Sequence, residues 1–160
     1  MRKNRPLLLL ITTTILLSIA ACGNSNAAKT MGQTLQADFK DRAEADDSIT
    51  ALDMADALLT NSVIEFSGAT MEVEPGNLTG FSAEITGFKD GVMFAPMVGS
   101  IPFVGYIFTL DADGDVDAFM KTLTDNANPR WNVCTEADET IVDHVGNMVF
   151  FLMCPSGLEE

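Results

Sequence analysis

The sequence predicts an α+β fold: a single small domain with a largely antiparallel sheet and two main helices, after a signal peptide and a flexible tether. Three observations lead to this fold class. The 160 residues are enough for one domain and leave little room for a second. Apolar residues make up 47 % of the chain, which provides for a hydrophobic core and excludes wholesale disorder. Their periodicity changes along the chain from helix to strands, back to helix, and then to a hairpin.

The first 21 residues are predicted to be a lipoprotein signal peptide. Arg2, Lys3 and Arg5 precede an apolar run at residues 7–19, in the order of charge and hydrophobicity that secretory signals have. As a helix the run would be about 20 Å long, which is too short for the roughly 30 Å hydrocarbon core of a bilayer. The segment is therefore typical of a secretory signal rather than of a permanent membrane span.

The residue that follows the signal peptide is a cysteine. Residues Ile19-Ala20-Ala21-Cys22 resemble the lipobox of bacterial lipoproteins, in which the cysteine is lipidated and becomes the new N-terminus. The resemblance implies a chain held by acyl chains on Cys22 at the outer, extracytoplasmic face of the cell membrane. The alternative is ordinary cleavage near residues 27–28, which would leave Cys22 in the removed peptide.

The charge of the chain restricts its partners. Nine Lys and Arg residues stand against 23 Asp and Glu residues, a formal net charge of −14, and cleavage before Cys22 would remove three basic residues and no acidic one. Because a phosphate backbone is bound by clustered lysine and arginine, nucleic acid is excluded as a partner. Anionic lipid headgroups repel so acidic a surface, whereas a basic protein partner or cations are attracted to it.

Residues 22–47 are predicted to be a flexible spacer that begins with the lipidated cysteine. Large apolar residues are few in this stretch, although Leu35 and Phe39, four residues apart, allow a short, fraying helix within it. The α+β domain is then predicted to occupy residues 48–156, followed by a short tail at residues 157–160.

The first half of the domain begins with a predicted helix. Ser48 is the predicted N-cap, apolar residues follow at helical spacing, and Asn61 ends the helix. Residues 63–66 and 71–74 alternate as strands do.

The most apolar stretch, residues 92–110, predicts two strands joined near Gly99-Ser100, because prolines and glycines divide it and exclude a membrane-spanning helix. The second of these strands is apolar on both faces, which predicts a central position in the sheet. One face carries Val104, Tyr106, Phe108 and Leu110, and the other carries Phe103 and Ile107.

The second half of the domain predicts a helix and a hairpin. Apolar residues recur at helical spacing over residues 116–127, with Asp115 as the N-cap. Residues 131–134 are predicted to be extended. Residues 141–145 and 148–154 predict a hairpin, with Gly146-Asn147 supplying the positive φ of its turn.

Lipobox and domain together resemble small uncharacterised lipoproteins of Gram-positive anaerobes. Within the domain the resemblance rests on residues 97–101, 126–131 and 140–147, and with the intervening chain it covers about residues 48–155. It implies the lipid anchor, the location and the domain limits, but no activity, ligand or catalytic residue.

Four carboxylates within seven residues form a candidate cation site. Hard cations such as Ca²⁺ take several oxygen ligands, but Val116 and Thr122 occupy the positions where an EF-hand has its glycine and its glutamate. The alternative is a strand-to-helix turn in which Gly114 bends the chain and Asp115 caps the helix. The four residues are Asp111, Asp113, Asp115 and Asp117.

Two cysteines remain once Cys22 is lipidated. Cys134 and Cys154 form an even pair in an exported domain, which predicts a disulfide that would contribute about 3 kcal/mol to stability. The alternative is that both are free and buried in neighbouring strands.

The remaining polar and aromatic residues predict binding rather than catalysis. His144 is the only histidine, and no nucleophile motif, paired metal-ligand spacing or glycine-rich phosphate loop is present. Arg130 beside Trp131 is a composition common at protein interfaces, although Trp131 also fits as a cover for the end of the preceding helix.

We therefore expect a membrane-anchored extracytoplasmic lipoprotein that is not an enzyme, needs no cofactor, and serves as a binding or interaction module for a basic protein partner. The alternative is a small-ligand or Ca²⁺-binding surface domain. Thermal unfolding with Ca²⁺, Mg²⁺ and small molecules from the cell envelope would separate these two hypotheses, because a ligand that binds only the folded state raises the melting temperature.

Overall fold

The computed structural model describes residues 29–157. All pairs of neighbouring strands are antiparallel, and the strand order in the five-stranded sheet is β1-β2-β3-β5-β4. The predicted α+β class is confirmed, with three helices in the described part. No helix there is both long and apolar enough to cross a bilayer. In chain order the elements are α1 (Met31–Ala45), α2 (Ala51–Leu59), β1 (Gly68–Glu72), β2 (Asp90–Pro96), β3 (Val104–Thr109), α3 (Val116–Asn126), β4 (Glu139–Val145) and β5 (Met148–Cys154).

The sheet has a hydrophobic cluster on each face, and β3 contributes to both. Its position in the middle of the sheet confirms the prediction from its two apolar faces. Val104, Tyr106 and Phe108 belong to the cluster under α3, whereas Ile107 and the preceding Phe103 belong to the cluster under α1 and α2.

Helix α1 is an integral part of the domain, so the predicted flexible spacer is wrong over residues 31–45. Its N-terminus has a capping box, in which the Thr30 hydroxyl accepts from the Gln33 N–H at 3.2 Å and the Gln33 side chain accepts from the Thr30 N–H at 3.3 Å. One stripe of the helix is buried against the sheet, where Phe39 stacks on Phe150 with ring centroids 5.2 Å apart. The stripe consists of Met31, Leu35, Phe39 and Ala43.

The folded domain therefore includes residue 30 onward, earlier than the predicted start at residue 48. The predicted signal peptide, Cys22 and residues 23–28 lie outside the described residues, as do residues 158–160.

Three local predictions differ from the structure. The N-cap of α2 is Thr50, whose hydroxyl accepts from the Asp53 N–H at 3.1 Å, while Ser48 is held in a turn by Asp46. Residues 63–66 are irregular and do not form a strand, and they bring apolar side chains against the cluster under α1 and α2. Residues 131–134 also form a turn instead of an extended segment.

The boundaries of α3 and of the hairpin follow the sequence closely. The Asp115 carboxylate accepts from the Ala118 N–H at 3.0 Å and is the N-cap of α3. Gly146 has φ +59° in the turn between β4 and β5, whereas Asn147 has no positive φ and its side chain donates to the Leu110 carbonyl at 2.6 Å.

The two ends of the strands define two ends of the domain. At the upper end α1 begins beside the end of β5: the Met31 N–H donates to the Ser156 carbonyl at 3.1 Å, and the Gly32 N–H donates to Glu139 Oε2 at 3.2 Å. Since β3 starts opposite Met153, the loop from β2 to β3 lies at this end too. The lower end carries the connection from α1 to α2, the start of β2 and the turn between β4 and β5.

Candidate binding cleft

A surface cleft of about 780 Å³ lies at the lower end of the domain. Its walls come from residues 46–50 between α1 and α2, residues 72–74 at the end of β1, residues 89–91 at the start of β2, and the turn between β4 and β5. Apolar side chains, including the buried Val92, form part of its lining. Strand pairing fixes the relative position of the two walls from β1 and β2, because Glu72 is paired with Val92.

The lining of the cleft is strongly acidic. Lys89 is the one basic residue in the lining, and its Nζ lies 3.7 Å from Asp90 Oδ2. The Ser48 hydroxyl and N–H donate to Asp46 Oδ1 at 2.6 and 3.0 Å, and these hydrogen bonds lower the pKa of Asp46. That carboxylate is therefore ionised at neutral pH. The acidic lining residues are Asp46, Asp47, Glu72, Glu74 and Asp90, all of them exposed.

The carboxylates do not form a metal centre. Among residues 29–157 no group of three or more His, Cys, Asp or Glu side chains is placed to hold a metal ion. This result covers the cleft, and it also covers the four aspartates that formed the candidate Ca²⁺ site.

The candidate Ca²⁺ ligands Asp111, Asp113, Asp115 and Asp117 are not brought together as a metal-binding group in the described residues. The segment forms the strand-to-helix turn that was its alternative. The Gly114 N–H donates to the Asp111 carbonyl at 2.9 Å, and the Asp115 carboxylate is engaged as the cap of α3. All four side chains are exposed to solvent, which stabilises them as separate charges.

The two cysteines of the predicted disulfide are both free in the structure, and their surroundings differ. Cys134 is exposed in the turn that follows α3, and Cys154 is buried at the end of β5. Burial foremost, and then the nearby charge of Glu139, raise the pKa of the Cys154 thiol. The alternative, two buried cysteines in neighbouring strands, holds for Cys154 alone.

The pair Arg130 and Trp131 does not form one exposed surface. Trp131 is half-buried and packs against the cluster under α3, as expected for a residue that covers the helix end. Arg130 is exposed and its Nε lies 2.7 Å from Glu136 Oε2. His144 Nδ1 contacts the Gly146 carbonyl oxygen at 3.1 Å.

Sequence reasoning missed the cleft because its walls are distant from one another in the chain. No local pattern connects residues 46–50 with residues 72–74 and 89–91, and only the fold brings them together. No family model, curated protein or solved structure matches the chain.

Proposed function

We propose that the protein is a lipoprotein, anchored through Cys22 at the outer face of the cytoplasmic membrane, that binds a basic protein partner and carries out no catalysis. The observation that carries the binding role is the acidic cleft at the lower end. It combines five carboxylates with one lysine, so its field attracts a cationic segment.

The arrangement of the carboxylates favours an extended basic segment over a metal ion. The acidic residues are distributed over several walls of the cleft and do not converge on one point. Lysine and arginine bury their aliphatic stems on apolar surface while their charged groups remain hydrated, and the apolar part of the lining provides such a surface. Because these charges are exposed, binding will be weakened by salt.

The position of the cleft fits a protein that is held by its N-terminus. The chain enters the domain at the upper end, and α1 runs from there toward the cleft over its 15 residues, about 22 Å. An anchor at Cys22 would therefore hold the upper end near the bilayer and leave the cleft facing outward. Repulsion between the acidic lower end and anionic headgroups supports the same orientation.

A basic peptide of alternating lysine and leucine is a suitable probe of the cleft. We expect the full chain to bind it at low ionic strength, and E72Q/E74Q/D90N to weaken binding about tenfold, since three attractive charges are lost. The matched control is D111N/D113N/D117N, which removes the same charge from exposed residues outside the lining. Equal losses in both variants would show a general charge effect and overturn the cleft as the binding site.

The anchor is tested separately by mass spectrometry of the mature protein from its native membrane. The N-terminal peptide is expected to begin at Cys22 and to carry acyl chains, and C22S is expected to be released from the membrane. A mature N-terminus near residue 28 without acylation would overturn the anchor.

A small cationic ligand is the second candidate, because a cleft of about 780 Å³ lies within the range of small-molecule sites. A panel of polyamines and amino acids, followed by thermal unfolding, tests it. A rise in melting temperature that E72Q/E74Q/D90N abolishes would favour the small ligand over a protein partner.

A further inference from the structure

We propose that the upper end of the domain rests on the lipid bilayer through three exposed apolar side chains. Met97 and Val98 in the loop from β2 to β3 are each 70 % exposed, and Val133 in the turn after α3 is 96 % exposed. We call these three residues the apolar tip. The proposal rests on the lipid anchor proposed above and adds the surface with which the domain meets the membrane.

The apolar tip is a structured surface in which two loops are joined. The Asn132 side chain donates to the Gly99 carbonyl at 2.7 Å, so the turn that carries Val133 is tied to the loop that carries Met97 and Val98. The other large apolar side chains that are exposed within residues 29–157, Leu52 and Met71, are exposed by only 38 and 55 %. The most exposed apolar residues of the described chain therefore lie at one end.

The length of chain before α1 places this end at the membrane. Eight residue steps separate Cys22 from Thr30, and a fully extended chain of that length spans at most roughly 26–29 Å. A domain of about 130 residues has a radius of gyration of about 14 Å, so this reach is shorter than the diameter of the domain. Because α1 starts beside the end of β5, the anchored segment joins the domain at the upper end, which is therefore the part of the domain held nearest to the headgroups.

The distribution of charge favours the same contact. The carboxylates of the cleft and the exposed aspartates of residues 111–117 lie at the lower end. Anionic lipids repel these charges, and the repulsion is weakest when the lower end is directed away from the bilayer. At the upper end Glu136 is paired with Arg130 at 2.7 Å, and Asp138 and Glu139 accept backbone N–H groups. The apolar tip therefore approaches the bilayer with part of the neighbouring acidic charge compensated.

Three side chains are too few to hold the protein on a membrane by themselves, and stable attachment takes additional signals such as acyl chains. The anchor supplies the high effective concentration at which a weak contact forms. The proposal therefore requires contact in the acylated protein and none in the unacylated one.

Trp131, the only tryptophan, is two residues from Val133 and reports on this contact. The experiment uses the acylated mature protein on phosphatidylcholine and phosphatidylglycerol vesicles, with bromine atoms on the lipid acyl chains as the quencher. We expect fluorescence to fall by roughly half when the tip lies in the interface. M97S/V98S/V133S should abolish the quenching and M71S, the matched exposed apolar control, should retain it.

Flotation with the vesicles separates the two proposals. Quenching that depends on the apolar tip supports the inference. Protein that floats but is not quenched, or is quenched equally in M97S/V98S/V133S, overturns the contact and leaves the anchor in place. Acyl-free protein is expected not to float; if it floats as well as the acylated protein, the anchor is overturned, and the contact with it.

Discussion

Gly105 shows how one residue determines the packing of the central strand. It is paired in register with Phe94 of the neighbouring strand, and a Cβ at this position would overlap the buried Phe94 ring. We expect Gly105→Ala to lower the free energy of unfolding by about 1–3 kcal/mol, the usual cost of overpacking a core. Urea denaturation measures it, with Gly99→Ala as the control because nothing lies within 4 Å of a Cβ there. Equal stability of the two variants would contradict the packing.

The two cysteines are expected to differ in reactivity toward thiol reagents. Cys134 is exposed, whereas Cys154 is buried and its pKa is raised, so the reactive thiolate is scarce there. In the native, unreduced chain an alkylating reagent should modify Cys134 rapidly and Cys154 only after unfolding. Peptide mapping by mass spectrometry checks both sites, and protection of Cys134 as well would point to the disulfide.

At the scale of elements, α1 contributes to stability through its buried stripe. Phe39 is fully buried and stacks on Phe150 of the sheet. We expect Phe39→Ala to destabilise the domain by about 3–5 kcal/mol, because it leaves a cavity under the helix. Asp41→Ala, on the exposed face of the same helix, is the control and should be close to neutral. If residues 31–45 were a spacer outside the fold, both variants would be as stable as the unsubstituted protein.

A polar cluster also joins α1 to the edge strand β4. Asp143 Oδ2 accepts from Gln36 Nε2 at 2.6 Å and lies 2.8 Å from Lys40 Nζ. Burial opposes ionisation of Asp143, but the hydrogen bonds from Lys40, Gln36 and the His144 N–H, with the charge of Lys40, outweigh it and lower the pKa of Asp143. Since the pKa is lower in the folded state, the resulting stability is present above the unfolded value and is lost as the pH falls through the folded one.

We therefore expect Asp143→Asn to cost about 1–2 kcal/mol at neutral pH. The difference from the parent protein should shrink as the pH falls below 3.8, the ordinary value for the group. Denaturation curves over this pH range measure it, with the exposed Asp113→Asn as the control. A difference that is independent of pH would assign the effect to shape rather than to charge.

The elements that the sequence predicts well are those whose signals are local. The two apolar faces of β3, the Asp115 cap and the glycine turn of the hairpin each lie within a few residues. Helix α1 has a weaker local signal, because Leu35 and Phe39 are the only large apolar side chains in residues 32–45, although Met31 and Ala43 continue the same spacing of four residues. The capping box formed by Thr30 and Gln33 is a further signal. The cleft and the apolar tip depend on contacts between distant segments, which no local pattern contains.

At the scale of the whole molecule, the negative charge opposes folding. The formal net charge is −14, and many carboxylates are concentrated at the lower end. Salt screens their repulsion, so we expect the melting temperature to rise by about 3 °C between low and physiological ionic strength. D111N/D113N/D117N should melt higher at low salt and show a smaller rise. A melting temperature that falls with salt would instead indicate that ion pairs dominate.

The hydrogen bond from the Met31 N–H to the Ser156 carbonyl makes the backbone of the described domain nearly a closed ring. If the two ends were joined and the chain were opened elsewhere, the elements would keep the same cyclic order and only the first element would change. A circular permutant that joins the two ends by a short linker and begins at residue 100, in the loop between β2 and β3, would have the same sheet and the same two clusters. In that permutant the new termini would lie within the loop that carries Met97 and Val98, so the folded domain could be studied with the apolar tip interrupted and the cleft intact.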